Sequence, residues 1–66
     1  MRSLRQFTGH RVLIQTSEQG IDGTIAAADR ESVSVTEASL LSSGDPVRLD
    51  GRIWVPDAAI RWVQVV

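Results

Sequence analysis

The side chains able to do chemistry are few and poorly arranged for catalysis. The only histidine, His10, directly follows Gly9 near the start of the chain. Nucleophilic catalysis needs a base beside the serine, threonine or cysteine that attacks. Seven serines and no cysteine are present, and one histidine in an N-terminal arm is poor material for a triad. We therefore interpret His10 as a surface residue and predict a protein that is not an enzyme and uses no cofactor.

Metal and phosphate chemistry find no better support in the sequence. A structural zinc site normally takes four ligands, and the chain has one histidine and no cysteine to offer. Glu18, Asp22 and Asp45 are interpreted as loop or solvent-face acids, because no spacing pairs them for acid–base work. No glycine-rich loop of the phosphate-binding type occurs. The sequence predicts no catalytic residue, no bound cofactor and no metal site.

Charge and hydropathy narrow the range of partners. The net charge is −1, from eight acidic residues and seven basic ones, all arginine. Bulk electrostatic binding of nucleic acid usually needs a clear positive excess, so this balance disfavours a strong non-specific binder. It leaves room for a few arginines arranged locally. No apolar run approaches the roughly 20 residues of a membrane helix, and residues 1–7 lack the apolar core of a secretory signal. We expect a cytoplasmic protein with no membrane partner.

The short length of the chain predicts that oligomerisation contributes to its stability. Sixty-six residues make a single domain, 1–66. A chain near this size buries only about 60% of its unfolded surface. Disulfides, metals or oligomerisation usually supply the missing stability, and the composition leaves oligomerisation.

Hydrophobic residues recur with a period of two, which is typical of β-strands. The pattern predicts strands at about 10–16, 21–28, 33–40 and 60–65. Gly23 in the second strand predicts a bend or bulge. Asp50-Gly51 is a hairpin signal; either 47–49 pairs with 52–54 across it, or 42–51 is one long connection. A short helix or irregular arm is expected over 2–8, with Ser3 as a candidate N-cap, and a one-turn link over 56–59.

The last strand is apolar on both faces. Ile60 and Trp62 share one face and Val63 and Val65 the other, if the alternation is regular. An end strand with apolar residues on both sides invites pairing with another chain, so we predict a subunit interface. The alternative is a bulge near Arg61, with Ile60 and Val63 both in the core and Trp62 against the N-terminal segment.

Glycines, aliphatic residues and one aspartate recur at characteristic spacings along nearly the whole chain. They are Leu4, Gly9, Val12, Ile14, Gly23, Ile25, Asp29, Gly51, Ile53, Val55, Ile60 and Val63. These positions resemble the two motifs of the Sm and Sm-like family, the relatives of bacterial Hfq, with the helix and strand that precede them. Two departures accompany the resemblance: Ser32 and Val33 stand where the family has a Met-Asn pair, and Pro56-Asp57 replaces its Arg-Gly pair.

The resemblance implies an all-β fold, a five-stranded, strongly bent small β-barrel after a short N-terminal helix. It implies a homo-oligomeric ring of six or seven subunits, closed by pairing the fourth strand of one copy with the fifth of the next. The candidate RNA-facing turn comprises Asp29, Arg30, Glu31, Ser32, Pro56 and Asp57. The candidate subunit interface comprises Ile53, Trp54, Val55, Trp62, Val63 and Val65.

Three functions stay open from the sequence. The first is an Sm-like ring that binds RNA or serves as an assembly scaffold. The second is a monomeric or dimeric small barrel that binds a protein. The third is a structural part, for example of a phage or mobile element, without RNA binding. Arg30 would contact RNA in the first; alternatively, Asp29 shapes the turn by accepting backbone hydrogen bonds and Arg30 is solvated.

Overall fold

The computed structural model of the chain describes residues 4–41 and 44–66. This part contains six β-strands, two single 3₁₀ turns and no α-helix. Ser3, the candidate N-cap, and Ser42-Ser43, the first residues of the alternative long connection over 42–51, lie outside the described residues. In chain order the elements are η1 (Arg5–Phe7), β1 (Arg11–Thr16), β2 (Gly20–Ala28), β3 (Ser32–Leu41), β4 (Val47–Arg48), β5 (Arg52–Pro56), η2 (Asp57–Ala59) and β6 (Ile60–Val65).

The six strands form one antiparallel sheet in which β3 serves two neighbours. The spatial order is β5-β3-β2-β1-β6. The short strand β4 pairs with the same edge of β3 as β5 does, at a different part of its length. Residues 32–36 of β3 pair with β5, whereas Ser39 and Leu40 pair with β4. Ten residues of β3 are long enough to hold both short strands in succession.

Three expectations about the sheet are wrong. The described residues form six strands instead of five. Their sheet does not close into a barrel, because β5 and β6 each pair on one side only. Neither alternative for the region before β5 is found: the hairpin across Asp50-Gly51 does not form, and the strand β4 lies within the long connection expected over 42–51. Gly51 adopts a positive φ of 79° and turns the chain, but β4 and β5 both pair with β3 instead of with each other.

The core occupies one face of the curved sheet, which we call the core face; the opposite side is the outer face. Alternate residues of each strand point to opposite faces, so one set of aliphatic side chains is buried while the intervening residues are polar or exposed. Around this core pack half-buried side chains that include Leu4 and Phe7 of the N-terminal segment. The buried hydrophobic residues are Val12, Ile14, Ile21, Ile25, Val33, Val35, Ala38 and Val55.

Gly23 marks a bulge, which confirms the prediction of a bend in the second strand. The register between β2 and β3 shifts between Asp22 and Thr24. Glu37, across the shift on β3, has a φ of 52°, which a residue other than glycine seldom adopts. A Cβ on Gly23 would lie 3.3 Å from the Ala38 Cβ. Glycine therefore allows β3 to approach β2 closely where the sheet bends.

Most predicted element positions agree with the structure to within about one residue. The four predicted strands correspond to β1, β2, β3 and β6, and η2 forms the predicted one-turn link. The sequence predicts a short helix or an irregular arm over 2–8, and the described residues of this range, from Leu4 onward, contain only the single 3₁₀ turn η1. Leu4 and Phe7 nevertheless both pack on the core, so three residues of turn suffice to bring them to it.

The last strand follows the alternative arrangement in its bulge near Arg61 and in the packing of Ile60 and Val63 on the core, but not in the position of Trp62. The register between β1 and β6 shifts between Gln15 and Thr16, so Arg61 has no partner across the pair. Ile60 and Val63 consequently both pack on the core, and the expectation that Ile60 and Trp62 share a face is wrong. Trp62 lies opposite Gln15 on the outer face.

Candidate subunit interface

The two end strands of the sheet each have one edge without a strand partner. Among residues 4–41 and 44–66, β5 pairs only with β3 and β6 only with β1. We call the unpaired sides the β5 edge and the β6 edge. An unpaired edge presents a row of backbone N–H and C=O groups that can add a strand from another chain. The two edges lie at opposite ends of the strand order.

Large apolar side chains are exposed on both of these strands. Trp54 of β5 has 55% of its surface exposed, Trp62 of β6 has 49%, and Val65 has 40%. Tryptophan is highly buried on average, so a half-exposed tryptophan on a strand with an unpaired edge is a candidate interface anchor. The remaining predicted interface residues are more enclosed: Val55 is buried in the core, whereas Ile53 and Val63 are half-buried.

Backbone hydrogen bonds show which residues of β5 face its edge. The Asp57 N–H donates to the Glu31 carbonyl oxygen at 2.8 Å. Hydrogen-bonded positions recur at every second residue of an antiparallel pair, so Val55 also faces β3. Arg52 and Trp54 therefore direct their backbone N–H and C=O to the β5 edge.

The same reasoning applies to β6. The Val66 N–H donates to the Arg11 carbonyl oxygen at 3.0 Å, and Gln64, two residues earlier, therefore faces β1 as well. Val63 and Val65, which alternate with these residues, direct their backbone groups to the β6 edge. Each edge thus has two alternate residues whose backbone N–H and C=O groups point away from the sheet.

Hydrogen bonds elsewhere in the sheet agree with this alternation. The Asp29 N–H donates to the Ser32 carbonyl oxygen at 2.9 Å, so Ser32 faces β2 and Val33 faces β5. The Ile25 N–H donates to the His10 carbonyl oxygen at 3.0 Å, which leaves Arg11 and the odd-numbered residues after it to face β6. The directions at the two edges are therefore consistent across all four strand pairs between them.

An apolar groove of about 450 Å³ opens beside β5 on the core face. Its walls are distant in sequence, since they come from the end of β1, the β1–β2 turn, β2, β3, the segment between β4 and β5, β5 and η2. Polar residues of the β1–β2 turn form part of its lining. The residues that line it are Thr16, Ser17, Glu18, Gln19, Ile21, Leu40, Leu49, Ile53, Trp54, Val55, Pro56 and Ala59.

The two turns that the resemblance assigned to RNA do meet in space. Ser32 lies opposite Pro56 at the end of the β3–β5 pair, and the bond from Asp57 to Glu31 joins the segments beyond it. The six turn residues contain three acids and one arginine, Arg30, which is exposed. This balance repels phosphate more than it attracts it.

Asp29 holds the turn between β2 and β3. Its carboxylate accepts hydrogen bonds from the backbone N–H groups of Glu31 and Ser32, each at 2.8 Å. These two bonds favour the charged form and lower the pKa of Asp29 from its ordinary value of 3.8. The geometry matches the interpretation in which Asp29 shapes the turn.

The lowered pKa predicts a pH dependence of stability. Because the folded-state pKa of Asp29 lies below 3.8, its contribution is fully present above that pH and is lost as the pH falls through the folded-state pKa. Asp29→Asn keeps an acceptor oxygen but cannot titrate. We expect the urea midpoint of the wild type to fall more steeply with acidification below pH 3.8 than that of the variant. Parallel curves for the two proteins would contradict this role.

His10 is exposed, and its ring lies edge-on to Phe7 with the centroids 6.1 Å apart. Across residues 4–41 and 44–66, no three side chains of the metal-binding types come together. In the same residues, no helix has the length and apolar character needed to span a membrane.

Comparison with known proteins adds no relative. No protein-family model matches the chain, and no curated protein matches its sequence. The Sm-like assignment therefore stays a prediction based on the glycine and aliphatic positions given above. The geometry of the two edges has to support any function by itself.

Proposed function

We propose that this chain is a self-assembling β-sheet subunit, an Sm-like scaffold in which the β5 edge of one copy joins the β6 edge of the next. One observation supports the proposal most directly. The unclosed sheet ends in two unpaired edges, and each edge strand carries a half-exposed tryptophan.

The strand order favours assembly around an axis. Joining two different edges makes a head-to-tail contact, which yields a ring when the rotation closes and a filament when it does not. Apart from the two-residue β4, the strands at the edges are the fourth and fifth of the chain, as in the pairing that the Sm resemblance implies. A ring of six or seven copies is the closed form we propose.

Assembly would also stabilise this short chain by burying apolar surface that is exposed in the single subunit. The buried core comprises eight side chains, of which the largest are isoleucines. Burying one tryptophan removes on the order of 150–250 Å² from water, worth about 25 cal/mol per Å². Covering the exposed halves of Trp54 and Trp62 would therefore add several kcal/mol per subunit.

RNA binding finds less support than scaffolding. The six residues of the turn region carry three carboxylates, and the two tryptophans that could stack on bases lie on the edge strands, where subunits would pair. A protein-binding monomer would leave both edges unpaired, which natural proteins generally avoid. We therefore favour the scaffold.

The mass in solution tests the proposal. Gel filtration with light scattering at micromolar concentration is expected to give a stable particle several times the 7.2 kDa of one chain. The mass should be the same at low and moderate salt, because apolar contacts and backbone hydrogen bonds hold the edges. A particle of one chain at that concentration would overturn the proposal.

A further inference from the structure

We infer that Trp62 of one copy occupies the apolar groove beside Val55 of the next copy. The inference rests on the proposed assembly and specifies how the two edges meet. Three features of the molecule support it: the faces of the two edge strands, the register in which the strands can pair and the shape of the groove.

The faces of β5 and β6 determine which side chains lie on the same side of the joined sheet. Two residues directly opposite in an antiparallel pair point their side chains to the same side. Trp54, whose backbone faces the β5 edge, has its side chain on the outer face. Val63, whose backbone faces the β6 edge, packs on the core. Joining the two edges through hydrogen bonds therefore places the outer face of β5 on the same side as the core face of the neighbour's β6.

The backbone groups available at the two edges set the register between β5 and the neighbour's β6. The β5 edge offers the backbone groups of Arg52 and Trp54, because the next position, Pro56, has no N–H. The β6 edge offers Val63 and Val65, because the position before them lies at the bulge. One antiparallel register joins both complete positions of each strand: Arg52 opposite Val65, and Trp54 opposite Val63.

The residues between these hydrogen-bonded positions also face each other across the joined edges. In this register Val55 lies opposite the neighbour's Trp62, and Ile53 lies opposite its Gln64. Both are pairs without backbone hydrogen bonds, whose Cβ atoms are about 4.5–5.5 Å apart. Val55 and Ile53 line the groove, so the indole of the neighbouring copy enters it.

The groove suits an indole. Its volume of about 450 Å³ exceeds that of one tryptophan side chain, and six of its lining residues are aliphatic. A buried indole N–H needs an acceptor, and Thr16, Glu18 and Gln19, whose side chains carry oxygen atoms, are among the residues that line the groove. In the same contact, Trp54 covers the neighbour's Val63, which is half-buried in the single chain.

A designed disulfide tests the register. The chain contains no cysteine, so only introduced thiols can react. We expect Ile53→Cys/Gln64→Cys to form disulfides between copies under mild oxidation, because these positions face each other without an intervening hydrogen bond. A denaturing gel without reductant should show a ladder of linked chains whose highest band gives the number of subunits.

Two controls separate the alternatives. Arg52→Cys/Gln64→Cys places the thiols on opposite sides of the joined sheet and should not cross-link beyond background. Gln64→Cys alone should also stay uncrosslinked; efficient dimer formation by this variant would show that two β6 edges pair around a two-fold axis, and would overturn the inference.

The mass of each variant before oxidation distinguishes the inference from the assembly itself. A particle of native mass that does not cross-link through Ile53→Cys/Gln64→Cys overturns the register but leaves the assembly. A single-chain mass for the wild type overturns both. Trp54→Phe leaves Trp62 as the only tryptophan and provides a check without cysteines. Its emission should shift to the red when dilution separates the copies, and an unchanged emission on dissociation would contradict burial in the groove.

Discussion

Trp62→Glu is expected to convert the assembled particle into single chains of 7.2 kDa. In the proposed contact the side chain leaves water for the groove of the next copy. A carboxylate in that position would be buried without a partner, which is strongly unfavourable. Gel filtration with light scattering measures the effect directly, since the wild type and the variant would elute at different masses.

The size of this effect follows from the exposed area. About half of Trp62 is exposed in the single chain, so assembly removes on the order of 100 Å² of its surface from water. Losing this burial costs about 2–3 kcal/mol, which is about 30- to 150-fold in the dissociation constant. The unpaired carboxylate adds to that loss at each contact.

A control with the same change of charge isolates the contact. Gln6→Glu also adds one negative charge, on an exposed residue of η1, and is expected to keep the native mass. If Trp62→Glu keeps the native mass as well, β6 does not form the interface. Circular dichroism of Trp62→Glu should retain the β-sheet signal, because the core residues of β6 are unchanged.

Ile14→Ala is expected to remove much of the stability of the subunit. Ile14 is completely buried and lies between Ile21 of β2 and Val63 of β6. Truncating a buried isoleucine to alanine typically costs about 2–5 kcal/mol, against total stabilities of about 5–15 kcal/mol for whole domains. Urea unfolding followed by tryptophan fluorescence, at one fixed protein concentration, measures the loss.

The neighbouring residue provides a matched control. Leu13 is next to Ile14 on β1 but points to the outer face and is half-buried. Leu13→Ala removes the same number of carbon atoms, and we expect it to cost about 1 kcal/mol, because less apolar area returns to water. An equal loss for the two variants would contradict the assignment of the core face.

Local patterns predicted those features that depend on neighbouring residues in the chain. The bounds of β6, Ile60–Val65, follow from an apolar run after a one-turn link. The bulge at Gly23 follows from a glycine inside a period-two strand. In contrast, β4 comprises only Val47–Arg48, and two residues cannot display a period.

The faces of β6 show where local reasoning stops. A regular alternation placed Ile60 and Trp62 together, whereas the bulge separates them. The bulge is a property of how β6 pairs with β1, and the sequence of β6 alone does not contain that register. The groove was missed for a similar reason, because Ile21, Leu40 and Ile53 line it together from three strands.

The amino-acid sequence by itself determined a mostly β chain, because strand periodicity is a local property. The tertiary structure alone decided that the sheet stays unclosed and which backbone groups each edge exposes. The direction of those groups depends on which strand occupies the other side, and that partner is distant in the chain. For this reason the pairing of Trp62 with Val55 could be inferred only after the hydrogen bonds of all four strand pairs were known.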